Sequence, residues 1–288
     1  MVDQLIENTI VLCKEGKLVI PKTLQHKAVA WYHHYLQHPG HTRLEETLRA
    51  VMYWIGMRNL IRSHTKTCKT CQVNKRKKQK YGKIPTKQVI TTPWEYLCVD
   101  LIGPYTLRGK EKSEIDFMCL TMINPASSWF EIVELPVADH VPTGETVNKD
   151  GKTKEAYFDK SSFMISHLVN KCWFSRYPRC RNIIYDNGSE FKLSFEALCD
   201  SYRVKRKPTS IKNPQANAIL ERINQVLMAM VRTSEIDMAD SVAPSDIDAV
   251  LTNASWAIRS TYHTVLKASP GAAIFGRDML FDIPFIAD

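Results

Sequence analysis

Along this chain the spacing of apolar positions changes part-way. From Ala28 to about Arg62 the spacing is helical. "KAVAWYHHYL" is followed by "TRLEETLRAVMYWIGMRNLIRS", where Leu44, Leu48, Val51, Met52 and Ile55 share a face after Thr42, a plausible cap. Ahead of it, "NTIVLCKEGKLVIP" sets two short apolar runs around Lys14-Glu15-Gly16, which predicts a hairpin. Beyond Pro93, "YLCVDLIGPY", "DFMCLTMIN" and "SWFEIVELP" predict three consecutive strands. After the polar loop "TGETVNKDGKTKEA" come a helix "SSFMISHLVNKCWFSRY", a strand "NIIYDNG", a helix "FEALCDSY", a short strand near "VKRKP" and a long helix from Asn213. Three strands and then alternating helix and strand predict an α/β domain with a mixed sheet and helices packed on it.

Between the two regimes lies "CKTCQVNKRKKQKYGKIP", whose basic, proline-terminated end reads as a linker, with Pro85 and Pro93 bracketing the boundary. The expected organisation is an extension over 1–27, a helical module over 28–80, a linker over 81–93 and an α/β domain over 94–288. The final "LFDIPFIAD" has no polar tail, so the chain reads as part of a longer protein.

Charge sharpens this division. Residues 1–90 hold 17 Lys+Arg against 5 Asp+Glu, a net +12, whereas residues 91–288 hold 22 against 25, a net −3. A basic module on a near-neutral body points to a polyanionic partner, with nucleic acid the commonest. Neither a membrane span nor a secretory signal is visible, so a soluble intracellular protein is expected. Eight cysteines in 288 residues do not resemble the dense framework of a small secreted fold, and reduced thiols are expected.

Reduced thiols bear on "CKTC". Cys68 and Cys71 have the separation that lets two thiolates reach one tetrahedral Zn²⁺. In "HHYLQHPGH", His33 and His38 stand within the window typical of paired zinc histidines, while His34 and His41 compete for the role. His38 precedes the turn Pro39-Gly40, which can aim its ring back at the cysteines, so His33 and His38 are the expected partners. A module of this size buries little core, and one structural zinc tying its first helix to its last turn would supply folding energy.

Acids interrupt the second regime. Asp100 breaks the apolar run of "EYLCVDLIGP", where a lone carboxylate is expensive to bury. Asp186 ends the apolar "NIIY" in the same way. In "NPQANAILERINQVLMAMV", Asn213 can cap a helix with Pro214 at its first position; Ile219, Ile223, Val226, Leu227 and Met230 form an apolar stripe that leaves Asn217, Glu221 and Gln225 on another face. Two strand aspartates and a helix glutamate suit a pair of Mg²⁺ ions, which favour oxygen ligands and support in-line phosphoryl displacement.

In this order, "HHYLQHPG", "CKTCQ", "CVDLIGP", "YDNGSEF" and "KNPQANAILERINQ" resemble the integrases of gypsy-type retrotransposons, over about residues 28–280. The resemblance implies a zinc-binding domain with two His and two Cys (His33, His38, Cys68, Cys71), then a ribonuclease H-like core with a five-stranded mixed sheet and a catalytic triad of Asp100, Asp186 and Glu221. It further implies two catalytic Mg²⁺ or Mn²⁺ ions, element and host DNA as substrates, a homo-oligomer, and nuclear action after assembly in a cytoplasmic particle. The implied reaction is trimming of element 3′ ends followed by strand transfer into host DNA; a non-catalytic DNA-binding derivative is the alternative. This sequence has one residue fewer than usual between Asp186 and Glu221, and the family's small C-terminal DNA-binding domain is not within it. Candidate DNA contacts are Lys205, Arg206, Lys207, Lys212, Gln215 and Asn217 near the acids, and Arg76, Lys77 and Lys78 in the linker, which could equally be a nuclear import signal.

Overall fold

The computed structural model describes residues 2–6, 9–74, 92–108, 114–138, 158–209, 218–237 and 243–280. The chain forms two compact units: Met1–Pro85 with Arg232–Ile236 and Asn253–Asp288, and Thr86–Val231 with Asp237–Thr252.

The first unit opens with strands β1 (Val2–Ile6), β2 (Thr9–Lys14) and β3 (Lys17–Val19), β2 and β3 joined through Glu15-Gly16, where both residues have positive φ. Helices α1 (Lys22–Tyr35) and α2 (His41–Val51) follow, then a two-residue strand β4 (Met52–Tyr53), and helices α3 (Met57–Thr67) and α4 (Lys69–Asn74). The continuous helical periodicity from Thr42 onward is therefore broken in two. Met52 and Tyr53 pair in parallel with Leu18 and Val19, and Gly56, at φ 85°, starts the next helix from the left-handed region. Ile55, placed on the apolar face by its spacing, is 90% exposed in this break. The first helical residue of α2 is His41, after Gly40, so Thr42 lies inside the helix and does not cap it. Val29, Tyr32, Leu36, Leu44, Leu48, Val51, Trp54, Met57 and Ile61 make the core.

The same unit takes in residues that the sequence pattern assigned to the α/β domain. The backbone N–H of Tyr262 donates to Thr47 Oγ1 at 3.0 Å, and Leu280 packs on the core just named. The unit's core is thus larger than residues 28–80 can supply alone.

In the second unit, β5 (Tyr96–Arg108), β6 (Glu114–Asn124), β7 (Trp129–Glu134), β8 (Asn182–Tyr185) and β9 (Lys205–Pro208) form one sheet in the order β7-β6-β5-β8-β9. The first three pair antiparallel as a meander, and β8 and β9 add parallel to β5. This mixed five-stranded sheet has the ribonuclease H-like order; β6 is buried without a break from Phe117 to Asn124, and β8 along its whole length. Helix α5 (Ser162–Val169) runs into a π-helical turn, and α6 (Ser194–Ser201) precedes β9. Helix α7 (Ala218–Asp237) buries Leu220, Ile223, Leu227 and Met230. Ile219, at 42% exposure, lies off that stripe, and the cap at Asn213 falls outside the described residues. Helix α8 (Pro244–Ser260) begins in this unit and from Asn253 belongs to the first, as does α9 (Pro270–Phe275).

Candidate metal centres

The C-terminal turn of α1 builds the first centre. Leu36 is fully buried and anchors the turn, then Gln37 and His38 both take positive φ, so the chain doubles back and the His38 N–H donates to His33 O at 2.7 Å. His33, in the last turn of α1, and His38 thereby face the same point, with ring centroids 4.6 Å apart. Cys68 caps the C-terminus of α3, and Cys71 lies in α4. Cys71 Sγ is 3.3 Å from His33 Nε2 and 3.7 Å from His38 Nδ1, and Cys68 Sγ is 3.4 Å from His38 Nδ1. Zn–S and Zn–N bonds of usual length give a tetrahedral S···N edge of about 3.5 Å, which these three distances match, and all four ligand atoms lie within 4.8 Å of one another, as one Zn²⁺ requires. His33 and His38 are 1% and 8% exposed, and burial excludes competing water. His34 and His41 are exposed and stand outside the group; His41 lines a neighbouring cavity of about 430 Å³ with Arg62, Lys66 and Gln72.

The second centre lies on the sheet. Adjacent parallel strands β5 and β8 pair Cys98 with Ile184; Asp100 lies two residues further along β5, and Asp186 directly follows the last residue of β8. Glu221 is in the first turn of α7 and solvent-exposed. Asp186 accepts from the Gly188 N–H at 3.2 Å in the turn after β8. Asp100 is partly buried, and Asn224 Nδ2 donates to its Oδ2 at 3.1 Å. Burial first, then the charge of Asp186 and, more weakly, that of Glu221, push the Asp100 carboxyl up to about 6. Among the described residues, only the His₂Cys₂ group brings three or more His, Cys, Asp or Glu ligand atoms within 4.8 Å of one another. The carboxylates are thus near enough to repel one another but are not drawn that close. This crowding of like charge fits a divalent cation. Asn224 was not singled out in the sequence, although its spacing of three from Glu221 puts both on one helix face.

Residues 20–77 match the family of the integrase zinc-binding domain. The zinc module is thus similar to integrase zinc-binding domains. Over 102 residues the chain is 31% identical to the Transposon Tf2-3 and Tf2-4 polyproteins of Schizosaccharomyces pombe, alignments that span 34% of this chain and only 8% of each polyprotein. By its zinc domain and these relatives the chain is similar to retroelement integrases, as the order of its motifs implied. Its backbone is also similar to a chain of the simian T-cell lymphotropic virus intasome in complex with PP2A regulatory subunit B56 gamma, at 16% identity and TM-score 0.48, covering 92% of this chain and 78% of that one. The HTLV-2 integrase catalytic core domain in complex with magnesium gives 14% identity and TM-score 0.42, covering 62% and 95%.

Of the basic residues near the five-stranded sheet, Lys205, Arg206 and Lys207 lie on the exposed edge strand β9. Arg206 is committed to Glu196 at 2.9 Å and Asp200 at 3.6 Å. The Lys207 ammonium donates to Tyr96 Oη at 3.0 Å and sits 4.7 Å from the centre of its ring. Lys212, Gln215, Asn217, Arg76, Lys77 and Lys78 lie outside the described residues. No helix among the described residues is long and apolar enough to cross a membrane.

Proposed function

We propose that this chain is a retroelement integrase that trims the 3′ ends of element DNA and joins them to host DNA by phosphodiester transesterification. The observation that carries the reading is Asp100 on β5 with Asp186, one residue past the end of the adjacent parallel strand β8, and Glu221 close enough for their charges to be felt at Asp100. Two Mg²⁺ or Mn²⁺ ions, when bound, would activate the attacking oxygen and stabilise the leaving one. The three carboxylates would hold and orient them, Asp100 from β5, Asp186 from the turn that follows β8 and Glu221 from α7. In trimming, water attacks a phosphorus of the element end and the 3′-oxygen of the retained strand leaves. In joining, that freed 3′-hydroxyl attacks a host phosphodiester, one P–O bond replaces another, and no covalent protein intermediate is needed. The zinc would be structural, one per chain, holding α1 to the α3–α4 turn. Lys205 and Lys207 would contact phosphates, with less from the ion-paired Arg206. Two DNA ends joined together imply a homo-oligomer, and a host DNA target implies action in the nucleus.

The test is a Mg²⁺-dependent strand-transfer assay with oligonucleotides carrying candidate element ends. Joined product supports the reading; DNA binding with neither trimming nor joining is the behaviour of a non-catalytic derivative and contradicts it.

A further inference from the structure

We propose that the cavity beside the zinc centre is a site for a terminal phosphate monoester, borne by the 5′ end of a DNA strand. That DNA bears the phosphate rests on the integrase reading above; the preference for phosphate rests on the lining of the cavity. Three elements wall this space of about 430 Å³: the start of α2 gives Gly40 and His41, α3 gives Arg62 and Lys66, and α4 gives Cys71 and Gln72. Arg62 and Lys66 stand four residues apart, so one face of α3 presents both. No Asp or Glu lines the cavity, and the sequence holds none between Glu46 and Glu95. Among the described residues neither cation is in an ion pair, whereas Arg49 and Arg58 both close on Glu45.

Like charges at this helical spacing destabilise the helix, and an anion held between them reverses the sign of that interaction. Gly40, ahead of α2, has no side chain to accept from the first N–H groups of that helix, so its positive end adds to the same field. The Cys71 thiolate opposes it, and zinc offsets that charge when bound. A phosphate in mid-strand is a monoanion with chain leaving on both sides, which suits an open surface. A terminal monoester carries about −1.5 to −2 charge at pH 7, offers three free oxygens and leaves in one direction only. It can therefore enter a recess and meet the Arg62 guanidinium, the Lys66 ammonium and the start of α2, which separate walls supply. The volume lies in the range of small-ligand sites and leaves room for part of the nucleotide behind the phosphate.

The experiment uses two internally labelled duplexes, identical except that their 5′ ends carry phosphate or hydroxyl. Each is titrated with the full, zinc-loaded chain by fluorescence anisotropy, without added divalent cation. Wild type should bind the phosphorylated duplex about tenfold tighter, the scale of charge-assisted hydrogen bonds at an accessible site. The Arg62→Gln, Lys66→Gln double variant should bind the two alike, and each single variant should lose part of the preference. Lys27→Gln, an exposed residue of α1 outside the lining, should keep it. At matched ionic strength, inorganic phosphate should erode the wild-type preference. If the double variant loses zinc, the single variants, each altering one exposed side chain, carry the test. Equal binding of both duplexes by wild type overturns the inference, as does a preference that survives in the variants. Equal weakening of both duplexes by the variants would mark a backbone contact and also overturns it. If inorganic phosphate raises the melting temperature of wild type but not of the double variant while the duplexes bind alike, the ligand is free phosphate and the assignment to a DNA end falls. Binding of both duplexes without preference leaves the integrase reading standing; binding of neither removes that reading and the inference together.

Discussion

Asp100 stands two residues past Cys98 on β5 and Asp186 two residues past its partner Ile184, just beyond the end of the adjacent parallel strand β8, and the charge of Asp186 is felt at Asp100. Without a cation this is unfavourable: Asp100 is desolvated and repelled by Asp186, and its carboxyl is pushed up to about 6. Removing one charge should therefore help the metal-free protein. At pH 7 with chelator selective for divalent cations other than zinc, Asp100→Asn should melt above wild type. Added Mg²⁺ should raise wild type and leave the variant unmoved. Equal response of the two proteins in differential scanning fluorimetry would count against cation binding at Asp100.

The zinc set should be selective among the four clustered histidines. Zinc binding contributes about 10 kcal/mol or more to small domains of this kind, so His33→Ala, His38→Ala and the Cys68→Ser, Cys71→Ser pair should lose zinc and melt the first unit. His34→Ala and His41→Ala, altering exposed rings outside the group, should retain it. Zinc content by elemental analysis, with helicity by circular dichroism, decides; loss of zinc on His34→Ala or His41→Ala would break the ligand assignment.

Much of this arrangement is legible in the sequence because a carboxylate inside an apolar strand is costly and stands out, as Asp100 does, and because Asp186 closes the apolar run of β8. The cysteine pair stands out for a similar reason, two thiols at a metal-binding separation. What escapes is whatever depends on distant partners. The strand Met52–Tyr53 interrupts a good helical pattern only because Leu18 and Val19 are there to pair with it. The hydrogen bond of Tyr262 to Thr47 spans most of the chain, and no local pattern announces that residues after 253 complete the first unit's core. Asn224 is invisible for another reason: an asparagine in a helix is ordinarily a solvated surface residue, and only its burial against Asp100 marks it.

Glu134, at the end of β7, gives a pH signature separate from the metal centres. Burial, and then the charge of Asp248, raise its carboxyl above the ordinary 4.5. A carboxyl raised in the folded state binds its proton more tightly folded than unfolded. Its stabilising contribution is therefore complete below the unfolded value and lost as pH rises through the folded one. Glu134→Gln removes this loss, so the melting temperature of the variant relative to wild type should climb as pH rises above the ordinary carboxylate value. A pH-independent difference would mean the carboxyl is not raised.

The basic edge strand should divide by partner. Lys207 rests on Tyr96 and has no acidic partner in that contact, whereas Arg206 is held by Glu196 and Asp200. Lys207→Ala should weaken DNA binding across sequences and reduce the slope of log affinity against log salt by about one. Arg206→Ala should leave that slope nearly unchanged and cost up to about 1 kcal/mol of stability. The reverse order in a salt titration would reassign the contact.

The most direct measurement is Mg²⁺-dependent joining of oligonucleotide ends by the single variants Asp100→Asn, Asp186→Asn and Glu221→Gln, with Glu190→Gln and Asp116→Asn as neighbouring acid controls. If the three carboxylates act as one metal-holding unit, each amide abolishes both trimming and joining, and combining them adds little. Zinc content and DNA affinity should stay near wild type, and the two controls should remain active. Substantial joining by Glu221→Gln together with its loss in Glu190→Gln would contradict the assignment of the third carboxylate and, with it, the proposed site.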